Sequence, residues 1–344
     1  MNKPIVRFKN VDIVFGGKPQ TALDLIDSGK NREDIQEQTG QILGVAGATL
    51  EVYEGEALVL MGLSGSGKST LLRAVNGLNT VTRGQVDIRC EQQWRNPNDC
   101  SPAELRQLRL DWVSMVFQQF ALLPWRSVSQ NIGLGLELAG MSAEQVKEKV
   151  SAQLELVGLS QWADKKVQEL SGGMQQRVGL ARAFATEAPI LLMDEPYSAL
   201  DPLIRSRLQD ELIDLQKRLQ RTIIFVSHDL DEAIKIGNRI AIMEGGRIVQ
   251  VGTAHEILRN PANEYVADFV AHMNPLSALN AVDAMTKVSK HKKGEKSARV
   301  LADTSSLKQV MQAQLETDMP VYVENSGRII GRIEAGDIHR VLLK

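Results

Sequence analysis

Apolar positions along the chain switch between two-residue spacing and three-to-four-residue spacing, and the switches mark its elements. Ile5 to Phe15 (IVRFKNVDIVF) partly alternates and is rich in β-branched residues, which predicts one or two edge strands. Ala22 to Thr39 is polar with helical character, and ILGVAGATLEVYEGEALVLMG returns to strand. Within it, Ala57 to Met61 is continuously apolar, as a buried strand is, and runs straight into a glycine-rich turn. Ser69 to Asn76 then has helical character. The middle, from about Pro102 to Leu170, is mainly helical, and Glu144 to Leu159 spaces valines and leucines as one helix packed on a neighbour. Two further apolar runs, Ile190 to Met193 and Thr222 to Ser227, end in an acidic pair and a histidine. Strands that carry reactive residues at their C-terminal ends predict an α/β fold with a mostly parallel sheet.

Between Leu279 and Arg299 the pattern fades. Lys287, Lys290, Lys292, Lys293, Lys296 and Arg299 gather there against Glu295, which reads as a solvated linker. Order then returns, and ENSG (Glu324 to Gly327) between two β-like runs is a hairpin signal. The expected organisation is a large domain over residues 1–274 with a helical subdomain at about 119–175. A basic linker and the start of a tail unit follow over 275–300, and the rest of the tail over 301–344.

Composition narrows the function. With 344 residues, 43% of them hydrophobic, and a formal net charge of −2, the chain lacks the basic excess of a general nucleic-acid binder. No apolar run approaches the roughly 18 to 20 residues that span a bilayer, so any membrane role is expected to be peripheral. Cys90 and Cys100 have neither the number nor the spacing of a zinc site and fit a reduced compartment, and Met1 to Asn10 has no long apolar core of a leader.

The chemistry begins at GLSGSGKST, which comprises Gly62, Leu63, Ser64, Gly65, Ser66, Gly67, Lys68, Ser69 and Thr70. Glycines at these positions let backbone N–H groups wrap phosphates, and the following helix adds the positive end of its dipole. Lys68 is placed to reach the β and γ phosphates of ATP, and Ser69 offers a hydroxyl to Mg²⁺. A plain Gly/Ser turn needs neither group. Asp194 ends a buried run and can position Mg²⁺ through its water shell, while Glu195, one residue on, can face the attacking water as general base or water orienter. His228 is placed either to sense the γ phosphate or to serve structure, and the residues alone leave both open. Gln118 and its neighbour Gln119 offer equivalent amides.

LSGGMQQR (Leu170 to Arg177) resembles the signature of the ATP-binding cassette family. With the phosphate loop, Gln118, MDEP, SALD (Ser198 to Asp201) and SHD (Ser227 to Asp229), it forms a set in that family's order over residues 5–270. The resemblance implies a P-loop ATPase fold with a helical subdomain, and a head-to-tail homodimer with two ATP molecules between subunits. Ser171, Gly172, Gly173 and Gln175 of one subunit would then complete the phosphate loop of the other, which suits a Ser-Gly-Gly turn at a helix N-terminus. It also implies Phe15 stacking on adenine, Gln118 serving catalysis and Mg²⁺ beside Ser69 and Asp194, and Asp201 communicating across the dimer.

The chain is similar, more closely, to the ATPases of bacterial importers for glycine betaine, proline betaine or choline. The insertion ALDLIDSGKNREDIQEQTGQILGVAG, the extended MGLSGSGKSTLLRAVNGL and MVFQQFALLPWRSVSQNIGLGLE carry this likeness. Pro196 and Tyr197 depart from the LLMDEAFSALD wording common there, but suit the broader family. The likeness implies a separate transmembrane permease, contacted near Leu123, Trp125 and Arg126, a periplasmic or extracellular solute-binding protein, and a peripheral place on the cytoplasmic face of the bacterial inner membrane. The tail resembles a single cystathionine-β-synthase-type (CBS) unit, expected to regulate. The basic run before it suggests a salt-dependent contact with anionic lipid. Other amine or amino-acid importers remain alternatives. A relative acting on nucleic acid or ribosomes is disfavoured, because the chain has one cassette and no long coiled-coil insertion.

Overall fold

The computed structural model describes residues 3–118, 121–198, 200–271, 275–288, 299–317 and 319–342. They fall into two compact units, residues 1–228 with 238–249 and residues 229–237 with 250–344.

The first unit is built on β1 (Pro4–Phe15), β2 (Ile42–Tyr53), β3 (Ala57–Met61), β4 (Arg83–Cys90), β5 (Gln93–Arg95), β6 (Val113–Val116), β7 (Ile190–Asp194), β8 (Thr222–Val226), β9 (Arg239–Glu244) and β10 (Arg247–Gly252). These make a four-stranded sheet, ordered β2-β1-β4-β5, and a six-stranded sheet, ordered β10-β9-β3-β8-β7-β6. The opening run is one strand, not two, and it is interior, because β1 pairs antiparallel with β2 on one side and β4 on the other. Its polar positions mark a wet face instead of an edge: Arg7 meets Glu51 at 3.0 Å and Lys9 meets Asp87 at 2.7 Å on the flanking strands. In the larger sheet, β9, β3, β8, β7 and β6 run parallel, as the continuous apolar runs require.

The polar insertion folds as α1 (Leu23–Asp27) and α2 (Arg32–Thr39), broken where Asn31 caps α2 by accepting from the Asp34 N–H at 2.8 Å. Ala22, Ile26 and Ile35 join Val14, Leu43 and Ala46 in a small core of its own. The phosphate-loop helix is α3 (Lys68–Val75), and α4 (Pro102–Asp111) follows. Next come α5 (Val128–Leu138), α6 (Ala143–Leu156) and α7 (Gly172–Ala185), which pack on one another, and α8 (Pro202–Leu219). Ser127 with Gln130 and Ser142 with Gln145 form capping boxes that start α5 and α6.

The second unit contains α9 (Leu230–Ile236), α10 (Ala254–Arg259), α11 (Glu264–Val270), α12 (Pro275–Ala278) and α13 (Ala281–Ala284). Its sheet is formed by β11 (Thr286–Lys287), β12 (Val300–Ala302), β13 (Val321–Asn325) and β14 (Arg328–Ile333), with α14 (Leu307–Thr317) and α15 (Ala335–Leu342) beside it. Leu279, Ala281 and Ala284 are buried with Leu307, Val310, Val323 and Ile333, so the tail's core begins where the polar composition suggests a solvated linker. Lys290, Lys292, Lys293 and Lys296 lie outside the described residues. The ENSG turn closes a β13–β14 hairpin, with Ser326 at φ 52° and Gly327 at φ 77° in the left-handed conformations such two-residue turns use.

Candidate functional site

Register places the site. Leu60 of β3 lies opposite Val226 of β8, and Val226 lies opposite Asp194 of β7, so three strand ends share one row. The chain leaves that row as the phosphate loop, as Glu195, and as Ser227–His228. Backbone space explains the loop's glycines: Gly62 has φ 140°, and a Cβ there would lie 2.1 Å from the Met243 carbonyl oxygen.

Lys68 is buried, and its Nζ donates to the Gly62 and Leu63 carbonyls at 2.9 Å each and approaches Ser66 Oγ at 3.4 Å. Burial pulls its ammonium below the ordinary lysine value, opposed by the charges of Glu195 and Asp194. It is a cation satisfied by neutral oxygens, which phosphate oxygens can replace.

Asp194 is fully buried. Its Oδ1 accepts from Ser69 Oγ at 2.7 Å, and its Oδ2 accepts from Arg73 Nη2 at 2.8 Å and Nε at 3.2 Å. A hydroxyl and a carboxylate at this separation are the hard oxygen donors that Mg²⁺ takes together with water, so the residues fit that ion. Arg73 escaped the sequence reading, although its signal is present: it follows Ser69 by one turn of α3 and shares its face.

Glu195 stands at φ 48°, an uncommon conformation for a residue with a side chain, and its N–H donates to the Val226 carbonyl at 3.2 Å. Gln118 Nε2 donates to Glu195 Oε2 at 3.0 Å, and His228 Nδ1 lies 3.7 Å from Oε1. The second distance is outside hydrogen-bond range. Gln119 lies outside the described residues. The structure thus brings Gly62–Thr70, Gln118, Asp194, Glu195 and His228 together.

Other expected residues stand apart or serve locally. Ser171 caps α7, with the Met174 N–H at 3.4 Å, and Gln175 Nε2 donates to the Leu170 carbonyl at 3.1 Å. Among the described residues, no hydrogen bond joins Ser171, Gly172, Gly173 or Gln175 to the phosphate loop. A Cβ added at Gly172 would meet nothing within 4 Å beyond its own helix. Asp201 caps α8 through the Ile204 N–H at 3.0 Å. Phe15 is 40% exposed. It lies against Gly44, where a Cβ would fall 2.8 Å from the ring and 2.9 Å from Thr70 Cγ2, so the ring flanks the start of α3.

Trp125 is 68% exposed, yet its loop is firmly held. Buried Asn131 accepts from the Leu123 N–H at 2.8 Å and donates to the Leu123 carbonyl at 3.1 Å; Lys166 Nζ reaches the Trp125 carbonyl at 2.8 Å. Arg126 pairs with Glu137 at 2.7 Å. A nearby groove of about 350 Å³, lined by Leu78, Leu110, Phe117, Leu134 and Leu138 among others, also escaped the sequence reading, because its lining comes from four separated stretches. Among the described residues, no helix is long and apolar enough to cross a membrane.

Comparison with known proteins shows the family and the fold. The ABC transporter family model matches residues 45–198, and a model described as AAA domain, putative AbiEii toxin, Type IV TA system, matches residues 165–234. The chain is 52% identical over 278 residues to the glycine betaine/proline betaine transport system ATP-binding protein ProV of Escherichia coli (strain K12), covering 81% of this chain and 68% of that protein. It is 38% identical to the trimethylamine N-oxide transport system ATP-binding protein TmoW of Ruegeria pomeroyi, covering 100% of this chain and 98% of that protein. The fold is similar to a dimeric, post-hydrolysis state of the ATP-binding cassette MJ0796 bound to ADP and Pi, with TM-score 0.62 and 30% identity over 72% of this chain and 98% of that one. The matches to the family model and to transport ATP-binding proteins show that the chain belongs to the ABC transporter family as an ATP-binding ATPase subunit.

Proposed function

We propose that the protein hydrolyses ATP to drive import of a quaternary ammonium compound, choline or glycine betaine, through a separate membrane permease. The observation that carries the chemistry is the convergence on Glu195, held by Gln118 at 3.0 Å and faced by His228, one residue beyond Asp194. ATP binding exchanges the carbonyl partners of Lys68 for β and γ phosphate oxygens. Ser69, Asp194 and Gln118 would hold Mg²⁺, which would supply charge neutralisation on the phosphates. Glu195 takes a proton from the water that attacks the γ phosphorus, the bond to the bridging oxygen breaks, and ADP and phosphate remain. His228 holds the γ phosphate and Phe15 lies on the adenine. Ser171, Gly172, Gly173 and Gln175 of a second copy close over the same phosphates, and Asp201 lines the dimer contact.

The permease is received at Leu123, Trp125 and Arg126, where a held loop presents an exposed tryptophan, and along the adjoining apolar groove. A solute-binding protein outside the membrane delivers the substrate, and the ATPase works at the cytoplasmic face. The β12-α14-β13-β14-α15 tail supports a CBS-like regulatory reading.

The cargo rests on the named relatives, which transport methylated amines. The full-length match to the trimethylamine N-oxide system favours that compound as a second reading. The test is ATP hydrolysis by the complete complex in lipid, comparing choline, glycine betaine, proline betaine, trimethylamine N-oxide and amino acids. Stimulation by a quaternary amine alone supports the first reading; stimulation by trimethylamine N-oxide alone replaces it.

A further inference from the structure

The insertion between β1 and β2 is closed on itself at its base and tied to the sheets through Arg83 and Arg247. The Lys18 N–H donates to Gln41 Oε1 at 3.0 Å, Arg83 bridges Asp12 and Asp27 at 2.6 Å each, and Arg247 Nη2 reaches the Ile26 carbonyl at 3.2 Å. These contacts hold the insertion down. Arg32, the first residue of α2, also reaches the phosphate loop: its Nη1 donates to the Gly65 carbonyl at the tip of that loop and its Nη2 to the Gly44 carbonyl of β2 at 3.1 Å.

The Gly65–Ser66 peptide is consequently held at both ends, because the Ser66 N–H donates to the Leu63 carbonyl at 3.2 Å. Gly65 has φ 77°, a conformation that a glycine leaves freely unless something fixes it. Gly44 is also the residue against which the Phe15 ring lies, so one guanidinium steadies both the loop and the strand beneath the ring. Arg32 Nε is buried without a hydrogen-bond partner among the described residues. Buried donors are rarely left so, and here the two outer nitrogens are committed to the loop at Gly65 and to β2 at Gly44.

We propose that Arg32 is a positioning residue that presets the phosphate loop for ATP, so that nucleotide affinity depends on the insertion. This rests on the reading of Gly62–Thr70 as the ATP site. A preset loop loses less freedom when the nucleotide arrives, which strengthens binding of ATP and of the transition state alike and shows in KM rather than kcat.

The test is ATP affinity and hydrolysis of the full chain carrying Arg32→Ala, Arg32→Lys and Asp27→Asn, with Lys68→Ala as control. Arg32→Ala raises Kd and KM for ATP roughly tenfold, the worth of a charge-assisted hydrogen bond, and leaves kcat within about twofold. Arg32→Lys recovers part of the loss, because its ammonium keeps the charge but lacks the planar fork whose two separate nitrogens reach Gly65 and Gly44. Asp27→Asn loosens another tether of the insertion and leaves KM unchanged. An unchanged KM in Arg32→Ala overturns the assignment, as does an equal rise in Asp27→Asn, which would make the effect one of insertion stability. If Arg32→Ala does not fold, Arg32→Gln gives the same reading. Wild-type binding that survives Lys68→Ala undiminished would instead sink the site assignment.

Discussion

Arg73 and Asp194 meet at 2.8 Å across the gap between α3 and β7, the carboxylate fully buried and the guanidinium 38% exposed. The same carboxylate accepts from Ser69, so the residue assigned to Mg²⁺ is oriented by two side chains of one helix. Arg73→Leu leaves the buried carboxylate with the serine alone. Urea unfolding should show a loss of about 1–3 kcal/mol, and the Mg²⁺ concentration for half-maximal hydrolysis should rise. Unchanged values of both would mean that Arg73 does not hold Asp194 in solution.

Glu195→Gln keeps the shape of the side chain and removes the base. ATP hydrolysis should fall by about 100-fold or more while ATP still binds, and an ATP-bound dimer should accumulate on gel filtration. Turnover near the wild-type rate would remove Glu195 from the proton transfer.

The exposed Trp125 and the buried Asn131 separate contact from support. Trp125→Ala should leave thermal stability unchanged and uncouple ATP hydrolysis from transport in the assembled complex. Asn131→Ala, which leaves the Leu123 N–H and carbonyl without their partner, should cost about 1–3 kcal/mol in the isolated chain. Equal losses of stability would show that Trp125 packs within the chain.

Burial pushes the Cys90 thiol up from 9.0 to about 11, with Arg95 opposing. Below pH 9 the thiol is protonated in both folded and unfolded chains, so its contribution is fully present. Between pH 9 and about 11 the unfolded chain ionises first, and stability is lost across that window. The stability of Cys90→Ala should fall less steeply there than that of wild type. Parallel slopes would show that Cys90 ionises equally in both states.

The phosphate loop and the acidic strand end were legible because each is a short local string on one strand end, whereas the residues alone left His228 open between sensing and structure, and its place 3.7 Å from Glu195 comes from the fold. Gln118 was legible only as one of two amides, and its bond to Glu195 comes from the fold. Arg32 was illegible because its partners are carbonyls of Gly65 and Gly44, groups that every residue carries. The edge assignment for β1 failed because alternation reports one wet face, and a strand between two neighbours can have that as easily as an edge strand. The tail's core was hidden by small alanines, Ala281 and Ala284, that carry little hydrophobic signal near a lysine-rich stretch.

Strands β3, β7 and β8 are buried at every position. An ordinary half-wet strand that slips by one residue turns its oily side to water, and the slip corrects itself. Here a slip would leave oil against oil on both faces, so apolar patterning cannot police alignment. The marks that distinguish one alignment from the next are the polar residues at the strand ends, above all Asp194 with its two helix partners. Asp194, proposed above as a holder of Mg²⁺, thus doubles as an alignment peg for β7, and a substitution there is expected to act twice, once on chemistry and once on how faithfully the sheet finds its register.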